Sequence, residues 1–209
     1  MSGALSPASD RVVLDLPGAD VSLQQFCDAV AAREWFERLR EEVPWERHRL
    51  RIFGRDVDAP RLSCWIGNAD ATYTYSGTRF EAHAWTPACA ELRDRVSALC
   101  GDDFNSVLCN LYRDGRDSMG WHSDDEPELG VEPVIASLSL GASRTFQLRR
   151  KDYRRCQVPW EELSLSAGSL LVMRGSTQRL WQHRLPKQLG RACGARVNLS
   201  FRWIEARGT

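Results

Sequence analysis

The chain has 209 residues, 43% of them apolar, enough for one domain with a full core. Its 28 acidic and 28 basic residues cancel to a formal net charge of zero, so bulk charge carries no signature of a nucleic-acid binder. Seven cysteines with no C-x-x-C pair argue against a disulfide framework or a thiolate zinc site, and no apolar run is long enough to span a bilayer.

Residues 1 to about 10 are small and polar and are expected as a loose tail. They lack the basic and apolar stretches of a secretion signal, so a reducing cytoplasm is the expected setting. Arg11 to Leu16 suits a short strand, broken by Pro17-Gly18. Ser22 followed by Gln25 matches a capping box. Leu23, Phe26, Val30, Phe36 and Leu39 recur at helical spacings, which predicts a helix over about 23–42 stopped by Pro44. Arg47 to Val57 predicts a hairpin turning near Phe53-Gly54. Pro60-Arg61 opens the next segment, and farther on Tyr73 and Tyr75 fall on one strand face. Thr86-Pro87 starts a second helix, striped by Leu92, Val96 and Leu99 and ended by Gly101. Two basic clusters, around Arg47–Arg51 and Arg149–Arg155, read as solvated or ion-paired faces.

From about residue 104 the pattern changes to short strands, at 107–112, 134–140, 145–149, 169–173 and 181–183, with a Gly- and Asp-rich loop at 113–120. Many short strands behind two helices predict a mainly β (α+β) jelly roll with supporting helices and a cavity at one mouth.

The chemistry gathers at His122-Ser123-Asp124. Residues i and i+2 of a strand share a face, so imidazole and carboxylate can converge. An H-x-D pair is common on surface turns and needs a third ligand. Of the other histidines (48, 83 and 183), His183 is the best candidate. Two imidazoles and one carboxylate with open positions form the ligand set of non-haem Fe(II) oxygenases; zinc fits the same set without redox chemistry. The last strand supplies a neighbour. Val197, Leu199, Phe201 and Trp203 alternate with Arg196, Asn198, Ser200 and Arg202. The polar face is either solvated or lines a cavity, and two arginines with amide and hydroxyl groups between them suit a dicarboxylate. Asn110 and Tyr112 share a face of their strand and are expected to meet these arginines across the barrel. A ferrous site beside a dicarboxylate clamp points to 2-oxoglutarate.

With these pieces assembled, the chain resembles the AlkB family of Fe(II)/2-oxoglutarate-dependent dioxygenases. The matching motifs are Asn110-Leu111-Tyr112, His122-Ser123-Asp124-Asp125-Glu126, the runs 136–141 and 168–173, His183-Arg184-Leu185-Pro186-Lys187 and the strand from Arg196 to Arg202. They occur in the family's order and cover most of the chain from about residue 60. The resemblance implies a double-stranded β-helix, with Fe(II) on His122, Asp124 and His183, and with 2-oxoglutarate and O2 as co-substrates. It puts the distal carboxylate of 2-oxoglutarate on Arg196, helped by Asn198 and Tyr112, and the carboxylate beside the metal near Arg202 and Asn110, with Ser200 adjacent. It implies a single domain over 1–209. A leading segment runs to 16, helices, hairpin and a nucleotide-recognition lid occupy 17–100, and a catalytic core occupies 101–205. Tyr73, Tyr75 and Ser76 would form the lid, Glu126 would accept from the base's exocyclic amine, and Leu50 and Phe53 would wedge a duplex open. Trp65-Ile66-Gly67-Asn68 departs from the aromatic-Gly-Asp pattern common near that lid. The implied substrate is 1-methyladenine or 3-methylcytosine in single- or double-stranded DNA, handled by a monomer. RNA or a non-nucleic-acid substrate is the alternative within the family, and a non-enzymatic jelly-roll binding module is the alternative outside it.

Overall fold

The computed structural model describes residues 11–52, 55–69, 71, 73–75, 78–80, 82–189 and 193–205, with backbone alone at 50–52, 55–56, 73–75 and 78–80. β1 (Val12–Val13) pairs with β2 (Asp20–Gln25). The helix expected from 23 begins later: α1 spans Ala29–Glu42, and its cap is Asp28, whose carboxylate accepts from the Ala31 N–H at 2.8 Å. Residues 20–25 are a strand because their backbone pairs along Ser169–Arg174, and Val21 is buried there. Gln25 sends its amide to the carbonyls of Cys27 and Ala167, not to a helix end. Val30, expected on the apolar stripe, is 70% exposed. Long-range pairing has overridden a local helical pattern. Asp28→Ala is expected to lower stability by about 1 kcal/mol, read as a lower urea midpoint with unchanged slope.

β3 (Arg49–Ile52) and β4 (Arg55–Asp58) form the expected hairpin. Phe53 and the side chain of Leu50 lie outside the described residues. β5 (Leu62–Gly67), not anticipated, follows. β6 (Tyr73–Tyr75) pairs with β7 (Thr78–Phe80), while Ser76 lies outside the described residues. α2 (Pro87–Cys100) starts and stops where expected. Thr86 accepts from the Cys89 N–H, and Gly101 adopts the left-handed conformation at φ 73° that closes the helix. Leu92 and Val96 are buried, but Leu99 is 39% exposed.

The remaining strands are β8 (Ser106–Tyr112), β9 (Met119–His122), β10 (Ile135–Gly141), β11 (Arg144–Arg150), β12 (Glu161–Leu165), β13 (Ser169–Arg174), β14 (Trp181–Leu185) and β15 (Arg196–Arg202). Short helices α3 (Tyr153–Cys156) and α4 (Thr177–Leu180) interrupt them. Among the described residues, antiparallel pairing gives a larger sheet in the order β1-β2-β13-β10-β15-β8-β5 and a smaller one in the order β12-β11-β14-β9. β2 and β5, from the first hundred residues, are thus part of the main sheet.

The larger sheet is covered on both faces. Val197, Leu199 and Phe201 pack with Leu39 of α1 and Leu92 of α2. On the opposite face, Ile135, Leu171 and Met173 meet Leu148, Trp181 and Leu185 of the smaller sheet. Arg196, Asn198, Ser200 and Arg202 alternate onto this second face, so the cavity opens between the sheets. Trp203 does not extend the apolar row; it lies past the strand and is 51% exposed. Asn110 and Tyr112 do not face β15 across a barrel. β8 lies beside β15, with Tyr112 opposite Arg196 and Asn110 opposite Asn198. Every described cysteine is a free thiol, and burial pushes the Cys64 thiol up to about 12.

Candidate metal and co-substrate site

β9 ends at His122, so Asp124 lies beyond the strand and one continuous strand does not carry the pair. Two hydrogen bonds position it instead. Ser123 Oγ donates to the Trp181 carbonyl at 2.9 Å, and the Asp124 N–H donates to Gln178 Oε1 at 2.9 Å. Both anchors belong to the α4–β14 segment that carries His183. β9 and β14 are neighbours with His122 opposite His183, and the two rings meet edge-on at 4.2 Å. Phe146 stacks on His183 at 5.4 Å. One ligand atom from each of His122, Asp124 and His183 lies within 4.8 Å of the others, the one such cluster among the described residues. The other two histidines, His48 and His83, pair with Glu46.

The protonation states suit a divalent metal. His122 Nδ1 donates to the Gly120 carbonyl at 2.8 Å, which leaves the Nε2 lone pair free, 4.0 Å from Asp124 Oδ1. Burial, aided by His122 and Arg202, pushes His183 down to about 3, and burial lowers His122 as well. Burial works to raise Asp124, but Arg202 Nη2 at 2.8 Å outweighs it and holds the carboxyl below its ordinary range. Two neutral imidazoles and a carboxylate anion are what ligation needs. Gln178 is buried, and nothing local in the sequence marks it. Gln178→Ala is expected to weaken Mn(II) binding by about 10- to 100-fold, measured as the metal concentration giving half the maximal thermal shift.

The adjoining cavity is lined by Asn110, Tyr112, Arg196, Asn198, Ser200 and Arg202, all six residues expected for the co-substrate. Arg196 is buried, and burial pushes its guanidinium down to about 10. Its Nη2 donates to Ser139 Oγ at 2.8 Å, and among the described residues it has no carboxylate partner. Asn198 Nδ2 donates to Ser137 Oγ at 2.8 Å and to the Leu138 carbonyl at 3.0 Å; its Oδ1 accepts from Ser200 Oγ. Arg202 has a duty beyond the expected one, because it also holds Asp124.

Two further arginines escaped the sequence reading. Arg61 is buried and donates from Nε to Asn110 Oδ1 at 2.8 Å, which orients the amide. Arg144 is fully buried, donates to the carbonyls of Asp114, Asp117 and Pro186, and lies 5.8 Å from the Tyr112 ring. It clasps two loops at the Tyr112 end of the cavity. The expected substrate contacts are less gathered. Glu126 caps the turn Pro127–Leu129 and does not line the cavity, and Asp125 pairs with Lys151 at 2.7 Å. The side chains of Tyr73 and Tyr75 lie outside the described residues. The first basic cluster is partly ion-paired, with Arg47 and Arg49 on Asp58.

The chain is similar to known proteins. The pattern of the 2OG-Fe(II) oxygenase superfamily matches residues 20–202. The alpha-ketoglutarate-dependent dioxygenase alkB homolog 3 of Rattus norvegicus is 42% identical over 212 residues, covering 96% of this chain and 67% of the relative. The chain belongs to the AlkB family. Another relative is the DNA oxidative demethylase ALKBH2 of Homo sapiens, 39% identical over 194 residues, covering 90% of this chain and 74% of the relative. The solved structure of OsALKBH1 superposes with a TM-score of 0.60 at 15% identity, over 93% of this chain and 100% of that one, a likeness of fold. An AlkB-family oxygenase works with Fe(II), 2-oxoglutarate and O2. The neutral His122 and His183, the ionised Asp124 and the carboxylate-free Arg196 fit that metal and that dianion.

Proposed function

We propose that the protein removes N-methyl groups oxidatively from 1-methyladenine and 3-methylcytosine in DNA, a direct-reversal repair. The observation that carries this reading is one cavity holding both a His-Asp-His cluster and a buried, carboxylate-free arginine. The names of the relatives support DNA as the substrate: ALKBH2 of Homo sapiens and of Arabidopsis thaliana are DNA oxidative demethylases. When bound, Fe(II) with 2-oxoglutarate and O2 supplies the oxidation, giving succinate and CO2 while the methyl group leaves as formaldehyde.

The chain's own residues bind, orient and exclude water. Arg196 receives the distal carboxylate through its guanidinium edge, with Asn198 and Tyr112 beside it. Arg202 and Asn110 flank the carboxylate nearer the metal, and Arg202 keeps Asp124 ionised. Leu108, Met173 and Leu185 wall the cavity with apolar surface. By the family resemblance, Tyr73, Tyr75 and Ser76 would handle the extruded base, and Leu50 and Phe53 would offset the cost of unstacking a duplex.

The test is formaldehyde release from an oligonucleotide carrying 3-methylcytosine, supplied with Fe(II), 2-oxoglutarate and ascorbate as single-stranded DNA, duplex DNA and RNA. Formaldehyde and succinate in equal amounts from DNA are expected. A marked preference for the RNA would move the substrate to RNA. Succinate without formaldehyde on all three would overturn demethylation of these bases while leaving the oxygenase.

A further inference from the structure

The strands that carry the two histidines have another face. Alternation turns His122 and His183 inward, so Trp121 of β9 and Arg184 of β14 point outward, as does Arg149 of β11, next to buried Leu148. There the Arg149 guanidinium lies 4.1 Å from the centre of the Trp121 ring and 4.4 Å from that of Tyr153. The Arg184 guanidinium is 4.6 Å from Trp121 and 5.4 Å from Trp160. Trp121 and Trp160 meet edge-on at 5.1 Å. Two like charges therefore share one set of rings.

Neither charge is neutralised among the described residues. Arg149 donates from Nε and Nη2 to Gln182 Oε1, and Arg184 donates from Nε to Gln147 Oε1 at 2.6 Å, both neutral amides. The terminal nitrogens of Arg184 make no hydrogen bond there. The adjacent cations differ: Arg150 pairs with Asp152 and Lys151 with Asp125. Trp160 is 46% exposed, a large ring left open to solvent beside a guanidinium edge. Cation–ring contact offsets part of the repulsion between the arginines but supplies no counter-ion. A phosphate matches the open fork of Arg184, and a nucleobase matches the open face of Trp160.

We propose that this outer face of the smaller sheet binds the DNA strand flanking the damaged nucleotide, with phosphate on Arg184 and Arg149 and a base stacked on Trp160. The proposal rests on the demethylase reading above. Its position supports it. β9 is the open edge of that sheet, and Trp121 adjoins His122. A strand that delivers a base to the inner face needs only to cross this edge to meet Trp121, and the guanidinium groups of Arg149 and Arg184 lie against that ring.

The experiment uses the full chain loaded with Mn(II) and a fluorescent fifteen-nucleotide oligothymidylate, with Trp160→Ala, Trp160→Phe and Arg184→Gln beside wild type. Formaldehyde release from a methylated trinucleotide and a methylated fifteen-nucleotide strand runs in parallel with Fe(II). Trp160→Ala and Arg184→Gln are each expected to weaken binding of the long strand about tenfold and to raise its KM alike, with the trinucleotide within about twofold of wild type. Trp160→Phe keeps a ring and restores most of the binding. Arg184→Gln also flattens the salt dependence by about one phosphate contact. Unchanged long-strand binding in both variants overturns the proposal and leaves the face to another partner, such as an acidic peptide or a second copy of this chain. Equal losses on the long strand and the trinucleotide overturn it too, because the residues would then act through the cavity. No formaldehyde from wild type, with long-strand binding still sensitive to Trp160→Ala, would remove the demethylase reading and keep the surface.

Discussion

Asp124→Ala is expected to abolish formaldehyde release and, with metal chelated, to lower the unfolding free energy by about 3–5 kcal/mol. The second effect comes from Arg202, whose Nη2 lies 2.8 Å from Asp124 Oδ1 with both side chains almost wholly buried. Removing the carboxylate takes from this buried guanidinium the anion it holds at 2.8 Å. Loss of activity alone would then confuse a lost metal ligand with a weakened fold. The double variant Asp124→Ala/Arg202→Met separates them, because replacing a whole buried ion pair by apolar groups is commonly neutral or stabilising. It is expected to regain most of the stability and to stay inactive. Urea unfolding of wild type, Asp124→Ala, Arg202→Met and the double variant in chelator gives the coupling directly. Strictly additive losses would mean that the pair does not act as a unit and that Gln178 and the histidines alone hold Asp124. The pH dependence has a definite sign. A carboxyl whose folded pKa is depressed contributes stability that is present above the ordinary carboxylate range and is lost as pH falls through the lowered folded value.

The same pair shows where sequence reading reaches and where it stops. His122, Asp124, His183 and the alternation of β15 are matters of residue identity and period, and both survive folding into the cavity. That Arg202 would grip Asp124 depends on how two distant segments approach, which no spacing encodes. Alternation says which residues share a face, not which strand lies alongside; hence Asn110 and Tyr112 were matched with the right partners in the wrong place. The early helix start failed for a related reason: Leu23 and Phe26 fit a helical stripe locally, but β13 offers the backbone of residues 20–25 a partner. β5 was hidden because it is buried along nearly its whole length, so no polar face alternates. β12 does alternate, with Leu163 and Leu165 buried, yet it is too short and too acidic to stand out and is not among the expected strands. Arg61, Arg144 and Gln178 are buried polar residues whose role is set entirely by remote partners, in a chain whose surface is already rich in arginine.

Arg196→Met is expected to move function and stability in opposite directions. The Arg196 guanidinium is buried, donates to Ser139 Oγ, and has no carboxylate partner among the described residues. Burial pushes it down to about 10, with Tyr112 working against that fall. A base with a depressed folded pKa binds its proton less tightly in the folded protein, so the burial penalty is fully present at neutral pH and is relieved only as pH rises through about 10. Without co-substrate the wild-type protein therefore carries an uncompensated buried cation. Methionine fills similar space without the charge, and the metal-free variant is expected to unfold at the same temperature as wild type or higher. Binding of 2-oxoglutarate is expected to suffer, because truncating one partner of a buried charge pair costs about 2–5 kcal/mol, a KM increase of at least about thirtyfold. Thermal unfolding of the Mn(II)-loaded proteins reads both effects together: a large upward shift with 2-oxoglutarate in wild type, and a raised baseline with little shift in the variant. A variant melting well below wild type would show that the Ser139 bond and the Tyr112 contact outweigh the burial of charge. An unchanged response to 2-oxoglutarate would place the distal carboxylate on a different residue, and Arg144, the other buried guanidinium beside Tyr112, would be the first to replace next.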